Sequence, residues 1–337
     1  MRTRSQNASR PLVAPVPVTP VLITPVPVAA MVAALLAGLV VSCGGADSSA
    51  RSANSARHNE FDAAAAMANV ERQVAFGPRV PGTPAHVAAG DWLVRELSER
   101  ADTVLVQKWV HTTADGKRLP MRNIIARFKP ADPRRVLYLA HWDSRPVADK
   151  ETDPARRSQA VPGANDGGSG VAILLGVADA LHKSPPGPGV DLLFTDGEDW
   201  GDFGTNTDVL IGSTWFANHL PDSAYAPMFG VLWDMVGDAE PRFEQESHSI
   251  RAAPEVVQRV WSTAQRLGYG AAFSNREYDL ITDDHVPLIE KGLRVINVID
   301  LHYPWHHTID DTPDKVSRST LAMVGEVAMT VLRDLQN

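Results

Sequence analysis

The chain has 337 residues, of which 44% are hydrophobic and 21% are charged. This composition excludes a disordered chain and a collagen, and the single cysteine excludes a disulfide scaffold or a Cys-based zinc finger. The formal net charge is −8. A nucleic-acid-binding protein would need a basic face, so we expect no nucleic-acid partner.

Residues 1–43 are predicted to be an export signal. They contain three arginines and no acid, then a Pro-rich apolar run that ends in Val40-Val41-Ser42-Cys43. This order of two aliphatic residues, a small residue and Cys resembles a bacterial lipobox, which implies cleavage before Cys43 and a lipid on its sulfur. An ordinary signal peptide cut elsewhere, or a buried free cysteine, is the alternative.

Residues 44–59 are rich in Ser, Ala and Gly and are predicted to be a flexible tether. Together with the lipobox, this segment predicts an exported lipoprotein of the cell envelope that faces the periplasm or the outside. Membrane attachment would then depend only on a lipidated Cys43.

Residues 60–337 are predicted to form one catalytic domain, because neither a second linker nor an internal repeat interrupts them. Apolar periodicity predicts helices over 63–75, 85–100, 170–182, 254–267 and 319–332. Strands are predicted over 104–112, 122–128, 136–140, 191–195, 229–233 and 293–299. The alternation of strands and helices predicts an α/β fold with three layers, α/β/α, around a mixed, mostly parallel central sheet.

Acids and histidines follow directly after four of the predicted strands, and one further group precedes a helix. These groups are His141-Trp142-Asp143, Asp196-Gly197-Glu198-Asp199, Asp234, the stretch 302–311, and Asn165-Asp166-Gly167 before the helix near residue 170. Ligands of open α/β sheets bind outside the carboxyl ends of the strands. We therefore expect these side chains to meet in one crevice, although any one group alone is better explained by solvated loop acids.

The residue types in these groups suit a metal centre. Asp166, Asp199 and a histidine at 306–307 offer oxygen and imidazole ligands without thiolate, which is typical of catalytic zinc with an open position. Manganese is the alternative metal, because carboxylates also bind it. Glu198 and Asp199 are adjacent and should point in different directions, so that one binds the metal and the other faces the substrate as an acid or base.

Seven motifs occur in a fixed order along the chain: Phe76-Gly77-Pro78-Arg79-Val80-Pro81-Gly82-Thr83-Pro84, His141-Trp142-Asp143-Ser144-Arg145-Pro146, Gly163-Ala164-Asn165-Asp166-Gly167-Gly168-Ser169-Gly170, Gly197-Glu198-Asp199, Asp234-Met235-Val236-Gly237, Asp283-Asp284-His285 and His307-Thr308-Ile309-Asp310-Asp311. In this order they resemble the zinc-dependent aminopeptidase superfamily, and within it the animal-type glutaminyl cyclases and their bacterial relatives. The resemblance implies a zinc-exopeptidase-like fold from about residue 61 onward.

The resemblance also implies roles for individual residues. It makes Asp166, Asp199 and His307 the zinc ligands, with Asp199 at a position where the family often has Glu. It makes Glu198 the catalytic acid/base.

Two further carboxylates, Asp234 and Asp283, match acids that hold Glu198 and the substrate amine in place. Asp283 before the Asp-His pair favours the cyclases, because aminopeptidases of the superfamily more often have Ser there. Two positions differ from the cyclase pattern. His306 stands where the cyclases usually have Trp, and Asn297 stands where animal cyclases have His.

The implied function is that of a glutaminyl-peptide cyclotransferase with one zinc ion, which converts N-terminal glutamine of peptides to pyroglutamate and releases ammonia. The alternative is a di-zinc aminopeptidase, in which Asp166 is shared and His141 and Asp234 bind the second metal. A non-catalytic binding lipoprotein is the third hypothesis, against which the presence of Glu198 argues. We expect a monomer.

Four tryptophans are candidates for the apolar wall of the substrate pocket, and ordinary core packing is the alternative for each. The candidates are Trp142, Trp200, Trp215 and Trp305.

Overall fold

The computed structural model describes residues 60–336, so the predicted signal at 1–43 and the predicted tether at 44–59 lie outside the described residues. The helices are α1 Ala63–Val74, α2 Pro84–Ser98, α3 Pro154–Arg157, α4 Gly168–Lys183, α5 Ile211–Asn218, α6 Ser247–Ala252, α7 Pro254–Leu267, α8 His285–Glu290 and α9 Arg318–Arg333. The strands are β1 Thr103–Thr112, β2 Arg118–Phe128, β3 Arg135–His141, β4 Gly189–Thr195, β5 Phe229–Asp234, β6 Phe243–Glu246, β7 Phe273–Tyr278 and β8 Val295–Ile299. A 3₁₀ turn spans Pro313–Lys315.

The central sheet of the described region has six strands in the order β1-β2-β4-β3-β5-β8. Strands β4, β3, β5 and β8 run parallel to one another, while β1 and β2 form an antiparallel hairpin whose β2 pairs antiparallel with β4. The predicted mixed, mostly parallel sheet is therefore confirmed. The strand order reverses beside β3, because β4 lies on one side of it and β5 on the other, and such a reversal opens a crevice at the carboxyl ends.

Helices cover both faces of this sheet, which confirms the predicted three layers. Successive side chains of β3 lie on opposite faces of the sheet, since Tyr138 packs into the larger apolar cluster and Leu139 into the smaller one. The larger cluster takes buried side chains from α1, α2, α4, α7 and α9. The smaller cluster is covered by Phe216 of α5 and Leu288 of α8. Within residues 60–336, no helix combines the length and the apolar character needed to cross a bilayer.

Every helix and strand predicted from periodicity is present, with ends that differ by four residues or fewer. The sequence did not predict β6 and β7, which pair as a separate two-stranded parallel ladder, or the short helices α3, α5, α6 and α8. These elements have four to eight residues. Elements of that length are too short to show a clear apolar period.

Helix α4 begins unusually close to the ends of the central strands. A Cβ added to Gly170 would lie 2.0 Å from the carbonyl oxygen of Trp233, the residue before Asp234 on β5. Gly167 adopts φ of +75°, and a Cβ there would lie 2.9 Å from the ring of His141. The glycines of this turn therefore bring the start of α4, and Asp166 before it, against the ends of β3 and β5.

Candidate metal centre and active site

The predicted site residues lie at the carboxyl ends of the central strands. His141 and Asp234 are the last residues of β3 and β5, and Glu198 and Asp199 follow β4. The other predicted residues come from three loops. Asp166 precedes α4, Asp283 precedes α8, and His307 lies in the loop after β8.

The structure brings Asp166, Asp199 and His307 together. The Nε2 atom of His307 lies 3.3 Å from Oδ1 of Asp199 and 3.7 Å from Oδ2 of Asp166. Burial on its own lowers the pKa of His307, but the carboxylates of Asp199, Asp149 and Asp166 raise it to about 9. The Nε2 atom of His307 thus lies within 4 Å of one oxygen of each of these two carboxylates, although the three residues come from three separate loops.

These residues fit a metal ion. Oδ2 of Asp166 and Oδ2 of Asp199 are both buried, and neither has a hydrogen-bond partner within the described part of the chain. An unpaired buried carboxylate oxygen is costly, and a cation bound between the two would satisfy both. Two carboxylates and one imidazole are a ligand set that zinc uses in catalytic sites.

A second group of possible ligands shares Asp166. The Nε2 atom of His141 lies 3.1 Å from Oδ1 of Asp166 and 3.2 Å from Oδ1 of Asp234, and one ligand atom from each of the three residues falls within 4.8 Å of the others. Burial lowers the pKa of His141, but hydrogen bonds with Asp143, Asp166 and Asp234 raise it well above its ordinary value. The alternative ligand set considered from the sequence is therefore assembled. By the same distance criterion, the other group in the described residues is Asp166, His306 and His307, so His306 rather than Asp199 joins the remaining two predicted ligands.

Glu198 and Asp199 point in different directions. Asp199 accepts a 2.7 Å hydrogen bond at Oδ1 from Nη1 of Arg145, whereas Glu198 lines the adjacent cavity. The nearest ion-pair partner of Glu198 is His141, whose Nδ1 lies 3.9 Å from Oε2. Burial raises the pKa of Glu198 well above its ordinary value, His141 opposes that rise, and Asp199 and Asp283 add to it. Glu198 is thus a buried carboxylate that faces open space.

Asp283 is held opposite Glu198 by a residue of the last central strand. The Nδ2 atom of Asn297 on β8 donates a 2.6 Å hydrogen bond to Oδ2 of Asp283. Burial raises the pKa of Asp283 well above its ordinary value, and the carboxylates of Asp234 and Asp284 raise it further. Asp283 and Asp234 line the same cavity as Glu198.

The cavity beside these acids measures about 390 Å³. Its acidic lining includes Asp166, Glu198, Asp234 and Asp283, and the cations Arg145 and Lys150 line it as well. Its apolar wall consists of Phe203, Met235, Tyr278, Leu280, Ile281, Ile299 and Leu301. Acids next to apolar side chains suit an amino group attached to an apolar or amide side chain.

None of the four tryptophans considered for this wall lines the cavity, so the alternative of ordinary packing describes them better. Trp142 stacks on His86, Trp200 lies under Lys117, Trp215 stacks on Trp109, and Trp305 packs on Tyr303 next to the wall residues. The apolar wall comes instead from residues that had no motif. His306, at the position where the cyclases usually have Trp, does line the cavity, and its Nδ1 lies 2.7 Å from Nζ of Lys150.

Buried residues that were not predicted as site residues form hydrogen bonds with the backbone of the predicted ones. Asp143 accepts hydrogen bonds from the backbone N–H groups of Glu198 at 3.2 Å and Asp199 at 3.3 Å. Asp311 accepts from the backbone N–H of Asp166 at 3.1 Å. Arg79 is fully buried among these acids. Arg79, Asp143 and Asp311 stand inside the quoted motifs, but spacing alone could not show which groups they contact.

Comparisons with known proteins agree with this architecture. Residues 123–332 match the profile of peptidase family M28. The chain is 25% identical to glutaminyl-peptide cyclotransferase of Bos taurus, over 74% of this chain and 76% of that protein. Its structure is similar to that of Tannerella forsythia glutaminyl cyclase, with a TM-score of 0.78 and 40% identity, covering 81% of this chain and 99% of that one.

An aminopeptidase relative is almost as similar. The crystal structure of a leucine aminopeptidase precursor from Bacteroides thetaiotaomicron matches with a TM-score of 0.79 and 36% identity, covering 81% of this chain and 97% of that one. The resemblance identified from the seven motifs is confirmed by these matches. Because the family profile covers more than half of its length, this chain belongs to peptidase family M28.

Proposed function

We propose that this protein is a zinc-dependent glutaminyl-peptide cyclotransferase, which converts N-terminal glutamine of peptides to pyroglutamate and releases ammonia. The observation that carries the proposal is the position of Glu198. Its buried carboxylate faces a cavity shared with Asp234 and Asp283, beside the oxygens of Asp166 and Asp199 that lack partners in the described region. The relatives named as glutaminyl cyclases support the same activity.

The reaction needs a proton carrier close to the substrate amine. Asp234 and Asp283 would hold the α-amino group in its neutral form. Its nitrogen forms a bond to the γ-carboxamide carbon and gives up one of its two protons to Glu198, and the bond from that carbon to the amide nitrogen breaks. Glu198 returns its proton to the departing nitrogen, which leaves as ammonia, and a five-membered lactam remains.

Asp166, Asp199 and His307 would hold the zinc ion, which when bound polarises the γ-carbonyl group and stabilises negative charge on its oxygen. The apolar wall of the cavity would pack against the methylene groups of the glutamine side chain and exclude water. Exclusion of water matters because the same carbonyl group can be hydrolysed.

Aminopeptidase activity is the second candidate, and the group of His141, Asp166 and Asp234 is the observation that favours it. Against it, the Asp166 and Asp234 oxygens that face His141 are already within hydrogen-bonding distance of its Nε2. Among the candidate ligands in residues 60–336, the buried oxygens without a hydrogen-bond partner are Oδ2 of Asp166 and Oδ2 of Asp199. This difference supports one zinc ion rather than two.

The test offers the purified protein a peptide that begins with glutamine. We expect release of ammonia, a product lighter by the mass of ammonia, and about one zinc ion per chain by atomic emission. An otherwise identical peptide that begins with asparagine is the control, because its shorter side chain cannot close a five-membered ring. Free amino acids released from aminoacyl amides, together with two zinc ions per chain, would establish the aminopeptidase instead.

We also propose that residues 1–43 direct export, that lipid on Cys43 attaches residues 60–337 to the cell envelope through the tether at 44–59, and that the enzyme is a monomer. The residue order before Cys43 supports the first two statements. Replacement of Cys43 by Ala should move the protein from the membrane fraction to the soluble fraction. Unchanged membrane association would remove the lipid from the proposal, and light scattering of the released protein tests the monomer.

A further inference from the structure

Side chains of the loop that follows β3 form hydrogen bonds and an ion pair with residues of the metal site, including His307. Arg145 has a side chain that is only 4% exposed, and it donates from Nη1 to Oδ1 of Asp199 at 2.7 Å. The same guanidinium donates from Nε and Nη2 to the two oxygens of Asp149, at 2.9 Å and 2.7 Å. Oδ1 of Asp149 in turn lies 3.1 Å from Nδ1 of His307. Arg145 and Asp149 therefore link two of the three residues to which we assign the zinc ion.

The backbone of His307 needs this support. His307 adopts φ of +57°, in the left-handed region that residues other than glycine rarely occupy. Such a conformation persists only where the surroundings hold it. The backbone N–H of Lys150 donates to the carbonyl oxygen of His307 at 3.3 Å, and Oε1 of Glu151 accepts from the N–H of Ile309 at 3.1 Å. The loop after β3 thus fixes both the main chain and the ring of His307.

We propose that Asp149, held by Arg145, is a positioning residue that sets the orientation and tautomer of His307. With Nδ1–H donated to the Asp149 carboxylate, the unprotonated Nε2 points toward Asp166 and Asp199, where the metal would bind. A carboxylate in contact with the outer nitrogen of a ligating histidine fixes its ring and makes it a stronger ligand. The inference rests on the zinc centre of the proposed function and applies whichever reaction the centre supports.

Arg145 also orients Asp199, the second of the proposed ligands that it reaches. By occupying Oδ1 of Asp199, it leaves Oδ2 as the oxygen without a partner in the described chain. Its planar guanidinium bonds both oxygens of Asp149, so that carboxylate cannot turn away from His307 without breaking two charged hydrogen bonds. A single buried arginine therefore orients Asp199 directly and His307 through Asp149.

The test compares the wild-type chain with Asp149→Ala, Asp149→Asn and the control Asp310→Ala. Asp310 lies in the same loop as His307 and is also a partly exposed acid in an ion pair, in its case with Arg156 of α3. Zinc affinity is measured by competition with a chromophoric chelator, and the geometry of the centre by the visible absorption of the cobalt-substituted protein. Because the Asp149 side chain is 43% exposed, we expect the variants to fold, and circular dichroism checks this.

We expect Asp149→Ala to bind zinc about 10- to 100-fold more weakly than the wild type and to shift the cobalt absorption. The zinc affinity of Asp149→Asn should lie between those of the wild type and Asp149→Ala, because the amide oxygen of Asn can still accept a hydrogen bond from Nδ1–H of His307. Asp310→Ala should match the wild type in both measurements.

The outcomes separate this inference from the proposed function. If Asp149→Ala binds zinc as tightly as Asp310→Ala and leaves the cobalt spectrum unchanged, the positioning role is overturned while the metal centre stands. If the wild-type chain binds no zinc, or if Asp166→Asn binds it undiminished, the metal centre is overturned and this inference falls with it.

Discussion

Asn297 donates a 2.6 Å hydrogen bond to Asp283, and both side chains are buried. This pair joins β8 to the loop before α8, where Asp283 lines the cavity. Asn297 keeps the same charge at every pH, so the donor to Asp283 is permanent.

Replacement of Asn297 by Ala should therefore weaken both stability and catalysis. The change leaves Oδ2 of Asp283 without its side-chain donor, so we expect the free energy of unfolding to fall by about 1.5–3 kcal/mol, and kcat/KM to fall as well. Urea unfolding and steady-state kinetics measure the two effects. Asn218→Ala, at the exposed end of α5, is the control. Wild-type kinetics in Asn297→Ala would show that Asp283 needs no such donor.

Replacement of Glu198 by Gln should abolish turnover while zinc stays bound. Gln has nearly the same shape but cannot carry a proton between the amine and the leaving nitrogen, and loss of such a group costs about 10²- to 10⁴-fold in rate. Ammonia release gives the rate and atomic emission gives the zinc content. Glu255→Gln, at an exposed ion pair with Arg294, should leave both unchanged. Substantial turnover in Glu198→Gln would remove Glu198 from the mechanism.

Zinc should raise the melting temperature of the metal-free protein, because it relieves repulsion between Asp166 and Asp199. At a free concentration of 100 times its Kd, a ligand that binds only the folded state adds about 2.7 kcal/mol to the free energy of unfolding. Asp166→Asn should lose most of this increase. Asp334→Asn, which removes an exposed acid after α9, should keep it. An equal rise in both variants would contradict the assigned ligand set.

Arg79 should be among the least replaceable residues of the fold. Its guanidinium donates to the carbonyl oxygens of Trp142 at 2.9 Å, Pro162 at 2.9 Å and Gly163 at 2.6 Å. Arg79→Met would leave these groups unpaired and remove the charge beside Asp143 and Asp311, so we expect the free energy of unfolding to fall by about 3–5 kcal/mol.

Urea unfolding measures this loss of stability. The matched control is Arg95→Met on the exposed face of α2, for which we expect a change below about 0.5 kcal/mol. Similar unfolding midpoints for the two variants would contradict the supporting role of Arg79.

Asp300, after β8, should make stability depend on pH. Burial raises the pKa of Asp300 to about 6, from an ordinary value of 3.8, although hydrogen bonds from the backbone N–H groups of Arg242 and His302 oppose this. Between about pH 4 and pH 6 the folded chain therefore holds this proton more tightly than the unfolded chain does. The contribution of Asp300 to the free energy of unfolding is present at acidic pH and is lost as the pH rises through that window.

Asp300→Asn removes this titration. The difference in unfolding free energy between the wild type and the variant should therefore move in favour of the variant as the pH increases from 4 to 7. Urea unfolding at several pH values measures it, with Asp91→Asn on the surface as the control. A difference that stays constant with pH would show that the pKa of Asp300 is not raised.

The sequence predicted the long elements and the convergence of the site for one physical reason. The four parallel strands β4, β3, β5 and β8 end at the same edge of the sheet. Polar residues that follow β3, β4 and β5 must therefore lie close together there. The same argument could not find Asp149, which follows no strand directly and acts through a side-chain contact. It also failed for the tryptophans, because apolar character alone does not distinguish a pocket wall from the core.

The position of His307 has a consequence for how the protein acquires its metal. The proposed ligand set is divided among loops whose relative places are set by the sheet, and His307 follows β8, the C-terminal strand of the described region. A nascent chain thus holds two carboxylates long before it holds the imidazole. Tight capture of the ion would then follow completion of the sheet, which couples metal loading to the end of folding.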